Sequence, residues 1–141
     1  MFSFSVYTLG CKLNQLESEA LADAFRREGG TSIPWGQAAN EGAPAADILL
    51  INTCTVTSKA DQKARRLIRK SLRDNPRACV IVTGCYAQLE ARRLTALGAE
   101  FPGANRLFVV SADQKGGLLD LGRYLQHGVL RDLLVTWADG L

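Results

Sequence analysis

Three of the four cysteines directly follow stretches with the pattern of β-strands. Cys11 follows VYTLG, Cys54 follows ILLINT and Cys85 follows VIVTG. In an open α/β sheet, the carboxyl ends of parallel strands line the crevice in which ligands bind. We therefore expect the three thiols to converge at one edge of a sheet. Thiolates are soft ligands, so this arrangement indicates a metal ion or an iron–sulfur cluster. Three unrelated buried cysteines are the alternative.

The fourth cysteine and the one histidine are not expected to join this site. Cys79 begins the apolar run CVIV, at the other end of the strand that precedes Cys85. Strands rise about 3.3 Å per residue, so the two thiols are roughly 20 Å apart. The apolar run itself predicts a core position for Cys79. His127 lies late in a predicted helix and is expected at the surface. Structural zinc usually takes four ligands, often from close-set pairs that this sequence lacks. Three thiolates alone leave a coordination position open.

Composition places the chain among soluble globular proteins. It has 141 residues, of which 47% are hydrophobic and 22% charged, and these values fit about one domain. The N-terminal stretch MFSFSVYTLG has neither a basic start nor a long apolar segment, so a signal peptide is not expected. No apolar run is long enough to cross a membrane. These features predict a cytoplasmic protein, in which cysteines are ligands or core residues more often than disulfides.

Strand and helix patterns alternate along the chain. Strands are predicted at 4–9, 47–53, 79–83 and 106–111, with a short edge strand at 31–35. Helices are predicted from Asn14 to the Gly29-Gly30 pair and at 58–73, 89–97 and 117–126, with Asn14 as a helix cap and Glu17 completing a capping box. Residues 36–46 have loop composition. This order predicts a parallel sheet with helices on both faces.

Three quoted segments resemble a known family. YTLGCKLNQLESEA, ADILLINTCTVTSKADQKARRLIRK and VIVTGCYAQLE are similar to the N-terminal domain of the radical S-adenosylmethionine methylthiotransferases. The resemblance covers residues 6–88 and fades towards the C-terminus. Within the family, TLGCK and NTCTVT are most similar to the enzymes that modify N6-threonylcarbamoyladenosine next to the tRNA anticodon. Sister enzymes that modify isopentenyladenosine in tRNA or a ribosomal protein differ around the first two cysteines and stay as alternatives.

The resemblance implies a fold, a cofactor and a division of the chain. It implies an α/β flavodoxin-like three-layer sandwich with a mostly parallel sheet. In this family three cysteines, matching Cys11, Cys54 and Cys85, hold an auxiliary four-iron four-sulfur cluster. Residues 1–128 would form this domain, and residues 129–141 a last strand or a linker. A standalone iron–sulfur or sulfur-carrier domain, and a flavodoxin-like binding module with incidental thiols, are the alternatives outside the family's chemistry.

The family's remaining parts are not recognisable in this chain. Its second four-iron four-sulfur cluster is bound by a C-x-x-x-C-x-x-C motif, which is absent from the sequence. We therefore expect that cluster, S-adenosylmethionine and the RNA-binding domain to belong to further domains of a full-length parent enzyme. The chain by itself is not expected to carry out the radical step, and no membrane partner is expected.

Polar residues near the cysteines are candidates for tuning such a cluster. Asn52 and Thr53 end the second predicted strand, and Gln88 follows Cys85 closely. Hydrogen bonds from such side chains to cluster sulfur alter its potential. Gln88 can alternatively cap the next helix.

The helix after Cys54 is strongly basic. Its cationic residues include Lys63, Arg66, Arg69 and Lys70. They form either a solvated face or a surface that contacts phosphates of the tRNA anticodon stem-loop, in which case binding would depend on salt.

Overall fold

Strands and helices alternate in the computed structural model as the sequence predicts. It describes residues 2–9, 12–34, 46–53, 58–75, 78–84, 96, 107–111, 117, 118 and 121. The principal elements are β1 (Ser3–Thr8), α1 (Lys12–Arg27), β2 (Thr31–Ser32), β3 (Ile48–Thr53), α2 (Ser58–Asp74), β4 (Cys79–Gly84) and β5 (Leu107–Ser111). The predicted strands are confirmed with small shifts at their ends, and the edge strand β2 is shorter than expected. The predicted helices at 89–97 and 117–126, and the boundary near residue 128, fall largely or wholly outside the described residues.

The described strands form one parallel sheet in the order β2-β1-β3-β4-β5. This is the doubly wound order of flavodoxin-like folds, which confirms the predicted class. The chain runs outward from β1 to β2 on one side and from β3 to β5 on the other. The order therefore reverses between β1 and β3, and ligands in such folds bind at the carboxyl ends of the strands at this reversal.

Two hydrophobic layers lie on the two faces of the sheet, because successive side chains of the central strands point to opposite faces. In β3, Ile48 and Leu50 point to one face and Leu49 and Ile51 to the other, and all four are buried. The first face packs against α1, where Phe25 meets Phe4 edge-on with ring centroids 5.2 Å apart.

The second face packs against α2 through Ala64, Ile68 and Leu72, which recur at helical spacing. Full burial of an aliphatic or aromatic side chain contributes about 1.5–3 kcal/mol, so these layers hold both helices in place. With helices on opposite faces, the described part of the chain has the predicted three layers.

Cys79 lies in the first of these layers, as predicted. Its relative exposure is 3%, and it packs with residues of β3 and α1. Its register partner is Ile48, at the amino end of β3, whereas Gly84 at the other end of β4 pairs with Thr53. Cys79 is therefore at the edge of the sheet opposite to the one from which Cys54 and Cys85 depart.

Candidate functional site

The predicted ligands Cys11, Cys54 and Cys85 lie outside the described residues, and so does Gln88. The residues that lead into them are described. Leu9 follows β1, Thr53 is the last residue of β3 and Gly84 is the last residue of β4. The geometry of these strand ends therefore determines where the three cysteine-bearing segments leave the sheet.

These strand ends are neighbours in the sheet. Thr8 pairs with Asn52, and Thr53 pairs with Gly84. Beyond the last pair of β1, the N–H group of Leu9 donates to the carbonyl oxygen of Asn52 at 2.8 Å. The segments that carry Cys11, Cys54 and Cys85 thus start from three adjacent strands, at the edge where the strand order reverses.

Asn14 joins two of these ends directly. Its side-chain nitrogen Nδ2 donates to the carbonyl oxygen of Leu9 and to the carbonyl oxygen of Thr53, each at 3.0 Å. Its relative exposure is 7%. The sequence pattern predicted Asn14 as the cap of a helix that begins there, and this prediction is wrong. Helix α1 begins at Lys12, and the amide of Asn14 is occupied by the ends of β1 and β3.

Asn52 completes a closed set of hydrogen bonds with Asn14 and Leu9. Its Nδ2 donates to the main-chain oxygen of Asn14 and to the hydroxyl of Ser18, each at 3.1 Å. The orientation of the amide follows from these partners, because a main-chain oxygen only accepts. Ser18 also accepts a hydrogen bond of 2.7 Å from Thr8, which extends this set to the end of β1.

Thr53 and Gly84 are in unusually close contact. The hydroxyl of Thr53 donates to the carbonyl oxygen of Thr83 at 2.7 Å, and Gly84 has φ of +105°. A Cβ atom on Gly84 would overlap the carbonyl oxygen of Thr53 and approach its Oγ1 to 2.8 Å. The glycine before Cys85 is therefore required by the neighbouring strand.

The hydrogen bonds bear on the predicted roles of Asn52 and Thr53. Both N–H bonds of the Asn52 amide and the O–H of Thr53 are donated to protein acceptors. In this arrangement these side-chain hydrogens hold the strand ends together, and a contact of either residue with a cluster stays a prediction. By contrast, Oδ1 of Asn52 and Oγ1 of Thr83 are buried and have no hydrogen-bond partner among the described residues. Thr83 is the register partner of Asn52, and no sequence pattern singled it out.

The exposed face of α2 is a basic groove. A depression of about 520 Å³ runs along the helix and is lined by Gln62, Arg65, Arg66, Arg69, Lys70 and Arg73. Arg66, Arg69 and Lys70 were predicted as RNA contacts, and their spacing by three or four residues places them on one side of the helix. The other predicted residue, Lys63, has its ammonium group 6.0 Å from the centre of the Tyr7 ring.

Comparison with known proteins decides the family. The family described as "Uncharacterized protein family UPF0004" matches residues 3–102. The chain belongs to this family. A relative from Treponema pallidum, named threonylcarbamoyladenosine tRNA methylthiotransferase, is 50% identical over 109 residues, which are 75% of this chain and 22% of the relative. These matches confirm the predicted relationship to the N-terminal part of the methylthiotransferases.

Other relatives carry the same name or that of a sister enzyme. A threonylcarbamoyladenosine tRNA methylthiotransferase from Bacillus subtilis is 39% identical, over 69% of this chain and 20% of its own length. A tRNA-2-methylthio-N(6)-dimethylallyladenosine synthase from Dehalococcoides mccartyi is 32% identical, over 92% of this chain and 28% of its own length. The chain thus spans between a fifth and a third of these three relatives.

The described residues meet neither the requirements of a membrane-spanning helix nor those of a metal site. Within those residues, no helix has the length and apolar character needed to cross a membrane. They also contain no cluster of three histidine, cysteine or acidic side chains arranged to hold a metal ion. The three predicted ligand cysteines do not belong to that part of the chain, so their grouping stays a prediction.

Proposed function

We propose that this chain holds the auxiliary four-iron four-sulfur cluster of a tRNA methylthiotransferase through Cys11, Cys54 and Cys85. The observation that carries the proposal is the adjacency of the three strand ends that precede these cysteines. Thr53 and Gly84 are register partners, and Leu9 is hydrogen-bonded to Asn52. Each cysteine is at most two residues from one of these ends, so the covalent chain keeps the three close to a common edge.

The three cysteines have the chemistry needed to bind such a cluster. Iron–sulfur clusters are held by cysteine thiolates, and three of the four cysteines follow these strand ends. With three protein ligands, one iron of a bound cluster would stay open to carry the sulfur that the family inserts into its substrate. Asn52, Thr53 and Asn14 would orient the ligand-bearing segments, and Gln88 stays a candidate for a contact with the cluster.

The proposed substrate is N6-threonylcarbamoyladenosine in the anticodon stem-loop of tRNA. Relatives named for this nucleoside are 50% and 39% identical to the chain. The second candidate is the dimethylallyladenosine, or isopentenyladenosine, of other tRNAs, because a relative with that name aligns with 92% of the chain. S-adenosylmethionine, a second cluster and further RNA contacts would belong to parts of the relatives beyond the matched length. The substrate implies a cytoplasmic location.

We propose that the α2 groove contributes to tRNA binding. Residues 62–75 contain a single carboxylate, Asp74, which pairs with Arg73. The exposed cations in this range are Lys63, Arg66, Arg69, Lys70 and Arg73. Such a cationic surface neutralises backbone phosphates without reading sequence. The helix begins four residues after Cys54, so one end of the groove lies close to the proposed cluster edge.

Nucleoside analysis tests the substrate. The full-length protein encoded by the complete gene is reconstituted, incubated with S-adenosylmethionine, reductant and tRNA that lacks methylthio groups, and the tRNA is digested for mass spectrometry. We expect methylthiolated threonylcarbamoyladenosine, and its loss in Cys54→Ala but not in Cys79→Ala. Methylthiolation of dimethylallyladenosine instead would overturn the first candidate in favour of the second.

A further inference from the structure

We propose that Asn14 is a positioning residue that fixes the segments carrying Cys11 and Cys54 relative to one another. The inference rests on the proposed function, since those cysteines are the proposed cluster ligands. Asn14 is the third residue after Cys11 and the only described side chain that donates to the ends of both β1 and β3. It therefore bridges the sheet where the order of the strands reverses.

The two carbonyl groups that Asn14 binds belong to peptide units leading into the cysteine segments. The carbonyl of Thr53 is half of the planar peptide unit that joins Thr53 to Cys54, so a hydrogen bond to it restrains the orientation of that unit. The carbonyl of Leu9 belongs to the peptide unit that joins Leu9 to residue 10. Residues 10 and 11, the second of which is Cys11, connect Leu9 to helix α1. One side chain thus restrains both segments.

The chemistry of the amide explains why asparagine suits this position. An amide nitrogen has two N–H bonds, and both are used here at 3.0 Å on acceptors from different strands. Serine has one donor and aspartate, when ionised, has none. The residue is also buried, with a relative exposure of 7%, so water does not readily replace a lost donor.

Asn14 is itself held in place. Its main-chain oxygen accepts from Nδ2 of Asn52, and the main-chain oxygen of Asn52 accepts from the N–H of Leu9. Together with the bond from Asn14 to Leu9, these contacts close a ring of three residues. Because Asn14 is itself anchored, its two hydrogen bonds restrain the relative position of the two strand ends as well as contributing to stability.

The test compares Asn14→Asp, which keeps the shape but removes both N–H donors, with Asn75→Asp. Asn75 is a matched control because its Nδ2 also donates to a carbonyl oxygen, that of Ser71, at the far end of α2. Both variants are checked for folding by circular dichroism and thermal unfolding. Asn14→Ser, which keeps one donor, replaces Asn14→Asp if that variant does not fold, and is expected to show an intermediate effect.

Two readouts are measured. The first uses metal-free protein in which Cys79 and Cys85 are replaced by alanine, and follows the reaction of Cys11 and Cys54 with dibromobimane, which fluoresces after linking two thiols. Rates are divided by those with monobromobimane to remove differences in thiol reactivity. The second is the iron content and electron paramagnetic resonance spectrum after anaerobic reconstitution of the chain with all cysteines present.

We expect Asn14→Asp to slow the linking reaction at least severalfold and to lose or alter the cluster signal, while Asn75→Asp changes neither. Equal behaviour of the two variants in both readouts would overturn the positioning role, and cluster binding by the unsubstituted chain would then leave the proposed function intact. If the unsubstituted chain binds no cluster but Asn14→Asp alone slows linking, the proposed function fails and the positioning role stands.

Discussion

The carbonyl oxygen of Thr53 contacts Gly84, its register partner, so closely that residue 84 has no room for a Cβ atom. The backbone of Gly84 also has a positive φ, which L side chains rarely adopt. The contact joins the residues directly before Cys54 and Cys85, and the residue with positive φ directly precedes Cys85. The close packing of β3 against β4 at this point therefore fixes the positions of Thr53 and Gly84, from which the two cysteine segments start.

Replacement of Gly84 by alanine is expected to destabilise the fold through this contact. Gly29→Ala is the matched control, because Gly29 has φ of +93° and an added Cβ atom there would meet nothing within 4 Å. Both variants incur backbone strain of about 1–2 kcal/mol. Gly84→Ala incurs a further overlap of about 1–3 kcal/mol. Urea unfolding of both variants measures the difference, and equal losses would show that the Thr53 contact costs nothing.

Two strand-end threonines are expected to respond differently to removal of the hydroxyl. Thr53→Val removes the hydrogen bond to the carbonyl oxygen of Thr83 and should lower the free energy of unfolding by about 1–2 kcal/mol. Thr83→Val removes a buried hydroxyl that has no partner in the described part of the chain, so stability should be unchanged or rise by about 1 kcal/mol. Chemical denaturation tests the pair, and a large loss for Thr83→Val would reveal a partner for its hydroxyl.

Charge reversal in the α2 groove is expected to weaken tRNA binding. Arg69→Glu should lower affinity and reduce the slope of log affinity against log salt concentration by about 1. Arg27→Glu makes the same charge change at an exposed position in the last turn of α1 and should leave the slope unchanged. Fluorescence anisotropy with labelled anticodon stem-loop, titrated at several salt concentrations, measures both. Identical slopes for the two variants would argue that overall charge, and not the groove, governs binding.

Local patterns in the sequence predict most of the described fold. The continuous apolar run Ile48, Leu49, Leu50 and Ile51 predicts a strand buried on both faces. The helical spacing of the α2 apolar residues predicts its packing stripe. The predicted start of α1 at Asn14 is wrong because Asn14 and Glu17 match a capping box locally. The acceptor on Thr53 that occupies the Asn14 amide is 39 residues away along the chain. A local pattern contains no information on such a partner.

The meeting of the three strand ends was predictable from the sequence, but their hydrogen bonds were not. The placement of three cysteines after strand patterns is sufficient to predict a common edge, and the described strand ends do meet there. Sequence cannot assign partners to polar side chains at that edge, because Thr53 and Thr83 both lie shortly before a cysteine at a strand end, and yet among the described residues only the hydroxyl of Thr53 has a partner. Register and side-chain direction, which depend on the folded sheet, decide this.

The iron and sulfide content of the anaerobically reconstituted chain tests the central claim most directly. A four-iron four-sulfur cluster gives about four of each per chain. We predict this content for the unsubstituted chain and for Cys79→Ala, whose thiol lies in the core. We predict its loss in Cys11→Ala, Cys54→Ala and Cys85→Ala, each measured on folded protein. Full iron and sulfide content in Cys54→Ala would contradict the assignment of the three thiols as cluster ligands.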